Sequence, residues 1–411
     1  MTLDLTDCNN CAPGGKQEVS TQPYRPDSWE IAFVQDCNLR CGYCYSGHGT
    51  MGRQQAVMDA ETSSRLIDLI APMSVGFEQI SVQFVTGETF LYFDQAIAFL
   101  DALRERLRLQ QTRVRALIST NGTLATEARL QTCLDRQISL TFSIDGEPAA
   151  HDRFRKTSSG EPTHHLALKN WKRYREMVAG LPNGPSCNLY SVIAANNRLA
   201  DVNAYWREQG VTRYKTVPVK PPGAASSASL TVVQKRQSEF LADMEQLALS
   251  ESDRLRGRSL TEEAFAPVAL VDFWKILSKS DSFHTCGAGY NTIGVDVTGN
   301  LYPCLLFIGY DQHILGNLAS GPEPAKVAAF REARARACAA CSLCWARFLC
   351  HDGCCASDPA TGVSVNERGE CEFMLSLSEI AIRSYQHWLD GTPEGSAKEP
   401  ASSPASPPQR K

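Results

Sequence analysis

From residue 31 to residue 219 the chain alternates short β-branched or apolar runs with longer helical ones, and this alternation restricts the fold more than any other feature. Residues 31–35, 80–85, 114–120, 138–144, 188–193 and 214–219 read as strands. Residues 59–71, 94–107, 166–178 and 201–206 read as helices, the second with Ile97, Leu100, Leu103 and Leu107 on one face, and 125–134 carries a weaker helical pattern. Strands separated by helices pair in parallel through right-handed crossovers, so the fold class is α/β, either a partial barrel or an open doubly wound sheet. With 411 residues, 43% of them hydrophobic, the chain has material for large cores and two or three domains.

Both architectures gather ligands at the C-terminal ends of their strands. Polar loops stand at those ends: the first strand runs into "CNLRCGYCY" with Cys37, Cys41 and Cys44, the second ends in "TGET" (86–89), the third in "STNGT" (119–123) and the fourth in "SIDG" (143–146). A net charge of −4 without a long basic block gives no electrostatic grip on nucleic acid or anionic lipid, so a small-molecule or protein substrate is expected. The N-terminus lacks the features of a signal peptide, and no apolar run reaches the ~18 residues of a membrane span, so the expected location is cytoplasmic. Disulfides are rare in that compartment, and 16 cysteines point instead to metal or redox chemistry. Cys133 and Cys187, isolated in the middle of the chain, read as small buried hydrophobes.

Three close thiols are one short of a closed structural metal site. On a 4Fe-4S cluster, three thiolates leave one iron open to a chelating ligand; the competing reading is a zinc site completed by His48. "CNLRCGYCY" resembles the signature of the radical S-adenosylmethionine superfamily, and "TGE", "STNGT", "SIDG" and "HDRFR" (151–155) follow in the order and spacing of its peptide-modifying members, over about the first 220 residues. The resemblance implies a partial (β/α)6 barrel, a cluster on Cys37, Cys41 and Cys44, and S-adenosylmethionine chelated to its open iron. One electron then splits the cofactor into methionine and a 5′-deoxyadenosyl radical that abstracts a substrate hydrogen, while the barrel orients the substrate. It also implies Tyr43 near the adenine, Gly87 and Glu88 at the methionine ammonium, where a carboxylate suits the charge, and Ser143 at a ribose hydroxyl. Thr86 and Thr89 replace that family's glycine and proline, so a less pre-organised loop with retained binding is expected. Asp145 and Arg155 either serve the site or pair to fix their loop.

A second cysteine region opens with "CGAGYNTIGVDVTGNLYPC" (286–304), continues through "CAACSLCWARFLCHDGCC" and ends at Cys371. Its pattern resembles the SPASM extension of peptide-acting radical S-adenosylmethionine enzymes. By matched position that resemblance places Cys286, Cys304 and Cys354 on one auxiliary 4Fe-4S cluster and Cys341, Cys344, Cys350 and Cys371 on another, giving three clusters with the catalytic one. Two full auxiliary clusters need eight thiolates and seven match. The first therefore has an open iron or takes Cys338, Cys355, Cys8 or Cys11, and residues 290–293 occupy the place where relatives often carry a further cysteine. Trp345, Phe348 and Phe373 are expected to shield the clusters.

The expected organisation is an N-terminal extension (1–28), the barrel (29–220), a connector with helices (221–285), the auxiliary-cluster domain (286–374), a closing helix (375–390) and a disordered tail (391–411). About 28 residues precede the first strand, too few for a winged-helix leader-binding domain, so leader recognition would fall to the barrel, the connector or a separate protein. The expected partners are a peptide or protein substrate and an electron donor such as a flavodoxin or ferredoxin. The reading is a peptide maturase that forms an intramolecular C–C or C–S crosslink. Formylglycine synthesis is the alternative, weakened because Leu305 stands where sulfatase maturases carry a basic aspartate after the cysteine. A non-catalytic iron-sulfur carrier or zinc interaction module is the competitor from another class, and would have little use for the polar strand-end loops. No catalytic base can be named from the sequence.

Overall fold

Six parallel strands lie in the sheet in the order in which they occur in the chain: β1 (Ser28–Ile31), β2 (Gln79–Phe84), β3 (Arg113–Thr120), β4 (Ile138–Ser143), β5 (Cys187–Ile193) and β6 (Arg213–Pro218). An order that never reverses, joined by right-handed crossovers, puts every connecting helix on one face, and a sheet covered on one face curls around the other. This decides between the two architectures in favour of a partial barrel, since a doubly wound sheet reverses its order at a switch point. The barrel stays open, because β1 and β6 do not pair with each other. The computed structural model describes residues 24–194, 197–219, 230–278, 286–337, 341, 343–350, 354, 356 and 370–391.

The connecting helices are α1 (Ala60–Met73), α2 (Phe93–Arg108), α3 (Glu127–Asp135), α4 (His164–Val178) and α5 (Leu199–Glu208). Asp59 caps α1 by accepting the Thr62 N–H at 2.7 Å. Ile97, Leu100, Leu103 and Leu107 of α2 are buried together, as their spacing predicts. Alternate strand residues, Trp29, Ile31, Ile80, Val82, Phe84, Ile118, Leu140 and Phe142, point outward into the same core as Leu66, Ile70, Leu130, Trp171 and Trp206. Cys133 lies fully inside it, and Cys187 packs half-buried at its edge. The intervening residues Ser28, Glu30, Gln83, Ser119, Ser143, Tyr190 and Lys215 face the concave side, where they keep contact with solvent. The registers Glu30 opposite Gln83, Ser143 opposite Tyr190, and Tyr190 opposite Lys215 fix that shared face.

The second cysteine region extends the same sheet. β7 (Thr292–Val295) pairs in parallel with β1 on its free edge, followed by antiparallel β8 (Asn300–Tyr302), β9 (Gly316–Asn317) and β10 (Gly321–Pro322). Beyond β6, α6 (Leu230–Arg254), α7 (Val268–Leu277) and, after α8 (Pro324–Ala337), the terminal α9 (Glu370–Asp390) pack together. Two buried indoles fasten this layer: Trp274 donates to the Ser384 hydroxyl at 3.0 Å and Trp388 to the Leu255 carbonyl at 2.9 Å. Helix α7 was not legible beforehand. The first strand begins at Ser28 and ends at Ile31, earlier than expected, and Val34–Gln35 pairs separately with Ala56–Val57. Among the described residues no helix is long and apolar enough to cross a membrane. The readings made for residues 1–23, 221–229 and 392–411, and for Cys8, Cys11, Cys338 and Cys355, lie outside the described residues.

Candidate active site

Backbone contacts hold the three-cysteine loop over the concave face. Arg40 N–H donates to the Lys156 carbonyl at 2.7 Å and Gly42 N–H to Phe154 at 3.1 Å, so the segment after "SIDG" clamps the loop from one side. Donors are turned on the sulfurs. Cys37 Sγ accepts from Leu39 N–H at 3.4 Å and from Asn121 Nδ2 at 3.8 Å, and Cys44 Sγ accepts from His48 N–H at 3.3 Å with the Ser46 hydroxyl 3.2 Å away. Such donors favour thiolate over thiol. Burial acts in the opposite sense, pushing the Cys37 thiol up to about 12 and the Cys41 thiol up to about 11. Buried thiols such as Cys37 and Cys41 ionise at neutral pH only against a cationic centre, which suits ligation of a cluster. Among the described residues no three His, Cys, Asp or Glu side chains converge on a single metal ion, and His48 turns its backbone N–H, not its ring, to Cys44. A 4Fe-4S cluster instead spreads its thiolates over separate irons.

The "TGET" loop packs against the base of this arrangement. Gly87 has φ +56°, and a Cβ there would come within 2.2 Å of the Val34 carbonyl oxygen and 2.7 Å of that of Asp36. Only glycine lets the loop lie so close to the strand that delivers Cys37. Thr86 also has a positive φ, 65°, a strained conformation for a β-branched residue, and its buried hydroxyl has no hydrogen-bond partner. Glu88 is buried and accepts from Asn121 N–H at 2.7 Å, the Thr120 hydroxyl at 2.8 Å and Phe90 N–H at 3.1 Å. Burial raises its carboxyl to about 7 against those bonds, and a carboxylate with three bonds retains one lone-pair position for a further donor. Asn121 joins the loops: beside Glu88 and Cys37, it donates to Asn38 Oδ1 at 2.9 Å.

Tyr43 is held by the loop after β4. Its hydroxyl donates to Asp145 and its ring lies under the Arg155 guanidinium, 5.3 Å from the ring centre. Asp145 also accepts from Arg155 Nε at 2.8 Å and Val192 N–H at 2.9 Å, so this acid fixes the loop after β4, one of the two roles open to it from sequence. His151 behind it is neutral. Nδ1 accepts the Asp145 N–H at 3.3 Å, Nε2 faces the Thr163 hydroxyl at 3.1 Å, and burial lowers its pKa to about 3. Ser143 stands at the inner end of β4.

In the C-terminal region, Cys286, Cys304 and Cys354 pack against one small apolar cluster that contains Ala288, Tyr302, Phe307 and Phe330. Gly294 of β7 lets the backbone of Cys304 seat directly on the sheet, where a Cβ would meet the Cys304 carbonyl carbon at 2.7 Å. Cys341, Cys344 and Cys350 lie together around the short helix Arg347–Cys350, which packs against α9, the helix that carries Cys371. Trp345 and Phe348 do not form the expected shield: they are 49% and 37% exposed, and only Phe373 joins the core, 5.8 Å from Phe240.

Near both cysteine groups lie residues that sequence reasoning did not single out. Glu30 Oε2 accepts the Leu305 N–H at 2.7 Å, directly after Cys304. Burial raises the Glu30 carboxyl, Cys286 adds to that, and Lys215 opposes it from the far end of the sheet. Tyr45 is 44% exposed overall, yet burial strongly raises its hydroxyl, with Cys44, Tyr190, Glu30 and Cys304 contributing. The sequence signal for Glu30 was one acid in the short strand "SWEI", and Lys215 in "RYKTVP" carried none until the pairing registers assigned its face.

Residues 31–193 match the profile of the radical SAM superfamily. The chain carries a radical SAM domain. An S-adenosylmethionine-dependent nucleotide dehydratase of Psychrobacter lutiphocae is 26% identical over 127 residues, 29% of this chain, and the match spans 39% of that relative's length. Among solved structures, anSMEcpe with bound AdoMet superposes with a TM-score of 0.70 at 18% identity, over 90% of this chain and 97% of its own. SuiB of Streptococcus suis bound to the precursor peptide SuiA gives 0.53 at 18% identity, over 81% and 74%. At these identities the likeness establishes the fold. The radical SAM domain therefore places its three-cysteine loop where that fold presents ligands, at the mouth of the open barrel.

Proposed function

We propose that this radical SAM enzyme is a peptide maturase that forms an intramolecular C–C or C–S crosslink in a ribosomally made peptide. The observation that supports this reading is that the two cysteine groups approach each other: Cys44 and Cys304 both act on the Tyr45 hydroxyl, together with the inward-facing Glu30 and Tyr190, and Cys286 and Cys354 act on Cys304. Cys37, Cys41 and Cys44 would hold the catalytic 4Fe-4S cluster and, with Gly87, Glu88, Tyr43 and Ser143, S-adenosylmethionine; bound there, these cofactors supply a hydrogen-abstracting 5′-deoxyadenosyl radical. Glu88 offers its remaining lone pair to an ammonium, and Asn121 keeps Glu88 and Cys37 in a fixed relation. Closing a crosslink removes two hydrogens from the peptide, one as an atom and one as a proton with an electron. The C-terminal cysteines, in a SPASM-type arrangement of two auxiliary clusters, are where an acceptor for that electron would be held.

The solved relatives support a peptide substrate, since anSMEcpe is seen with a Cp18Cys peptide and SuiB with its precursor peptide. Anaerobically reconstituted protein, given S-adenosylmethionine, a strong reductant and candidate peptides, should release 5′-deoxyadenosine and peptide lighter by two hydrogens. A product that reacts with hydrazines as an aldehyde would favour formylglycine synthesis instead. Absence of 5′-deoxyadenosine with every peptide would count against the enzyme reading as a whole.

A further inference from the structure

We infer that Glu30 and Lys215 form a charged bracket that binds the substrate peptide across the lumen, the carboxylate taking a cationic donor and the ammonium an anionic or carbonyl acceptor. This rests on the peptide-maturase reading. Both residues occupy inward positions, Glu30 on β1 beside Gln83 and Lys215 on β6 beside Tyr190, at opposite ends of the curled six-stranded sheet. The Lys215 charge reaches the Glu30 carboxyl, yet among the described residues neither head group has an ion-pair partner. Opposite charges that face each other without meeting leave a gap for a group that complements both.

Each charge is also held in place. Glu30 is pinned through Oε2 to Leu305 N–H at 2.7 Å, and no other hydrogen bond of the described residues uses its carboxylate, so Oε1 keeps its capacity to accept. The Lys215 ammonium lies 5.8 Å from the centre of the Tyr190 ring, a contact that orients a cation without neutralising it. Glu30 and Cys304 both act on the Tyr45 hydroxyl, so the three stand near one another. A nucleotide would satisfy Lys215 but bring phosphate against Glu30, a like-charge contact that an interface avoids. A peptide segment carrying an adjacent basic and acidic side chain suits both ends.

The test uses immobilised, reconstituted full-length protein and pools of short synthetic peptides, randomised except for a fixed central pair: Lys-Asp, Ala-Asp, Lys-Ala or Ala-Ala. Wild-type protein should retain the Lys-Asp pool about tenfold more than the Ala-Ala pool, a low estimate for two charge-assisted contacts. Glu30→Gln, which keeps an acceptor for Leu305 N–H, should lose the preference for lysine, and Lys215→Gln the preference for aspartate. Iron content and thermal midpoint report on the fold; if Glu30→Gln loses iron, the Lys215→Gln arm decides. Retention that ignores the fixed pair, or variants with unchanged preferences, would overturn the bracket alone. Failure of wild-type protein to retain any pool would overturn the peptide reading and the bracket with it.

Discussion

The contact between the "TGET" loop and the strand that delivers Cys37 can be measured through one methyl group. Gly87→Ala puts a Cβ 2.2 Å from the Val34 carbonyl oxygen and 2.7 Å from that of Asp36, at φ +56°. The left-handed conformation costs a non-glycine residue about 1–2 kcal/mol. Relieving a clash of this depth against backbone adds about 1–3 kcal/mol, the usual range for overpacking a tight site. The variant should therefore lose about 2–5 kcal/mol of stability. Gly52→Ala supplies the control, since Gly52 has φ +75° but open space around its Cβ, and should cost only the conformational ~1–2 kcal/mol. Denaturant titration of both variants beside the wild type gives the comparison. Because Asp36 also accepts the Glu88 N–H at 2.8 Å, Gly87→Ala should weaken S-adenosylmethionine binding as well, measured by equilibrium dialysis on reconstituted protein. Equal losses in the two variants, or a Gly87→Ala cost below about 0.5 kcal/mol, the scatter of an inert surface change, would refute the packing argument.

Thr86→Gly should stabilise the fold by about 1–2 kcal/mol, because it relieves a positive φ and removes a buried hydroxyl that lacks a partner; a lowered denaturation midpoint would contradict this. Asp145→Ala should cost about 3–5 kcal/mol, the range for stranding one member of a buried pair, since Arg155 is only 8% exposed; a loss under about 1 kcal/mol would place the pair among weak surface bridges. His151 is neutral in the fold, with its pKa lowered to about 3 from 6.5, so the folded state binds fewer protons than the unfolded one in that window. Its contribution is present above pH 6.5 and lost as pH falls toward 3. Stability of His151→Asn followed against pH should accordingly fall less steeply over that range than the wild type's, and an unchanged slope would reject the assignment.

The parallel strands were legible because buried β-branched runs recur at the spacing of βα units, and each falls within a few residues of its expected place. Their order was not legible, since hydrophobic period is the same for a barrel and a doubly wound sheet; only the pairing registers resolve it. Cys286, Cys304 and Cys354, assigned to one cluster by resemblance, all pack against the same small apolar group of residues, a proximity that the long stretch of chain between Cys304 and Cys354 concealed. Glu30 escaped notice because "SWEIAFV" reads as an apolar run with one acid, and its meaning depends on which face the pleat gives it. Lys215 in "RYKTVP" was hidden in the same way. Trp345 and Phe348 are exposed although they lie among cysteines in the sequence, because aromatic character alone does not decide burial.

The central claim is that Cys37, Cys41 and Cys44 hold a cluster separate from those of the C-terminal cysteines. Iron and sulfide should be counted after anaerobic reconstitution of the wild-type chain and of a variant carrying Cys37→Ala, Cys41→Ala and Cys44→Ala. The account predicts about twelve irons falling to about eight, one 4Fe-4S cluster lost and two retained. An unchanged iron count in the variant, or zinc in place of iron, would contradict it.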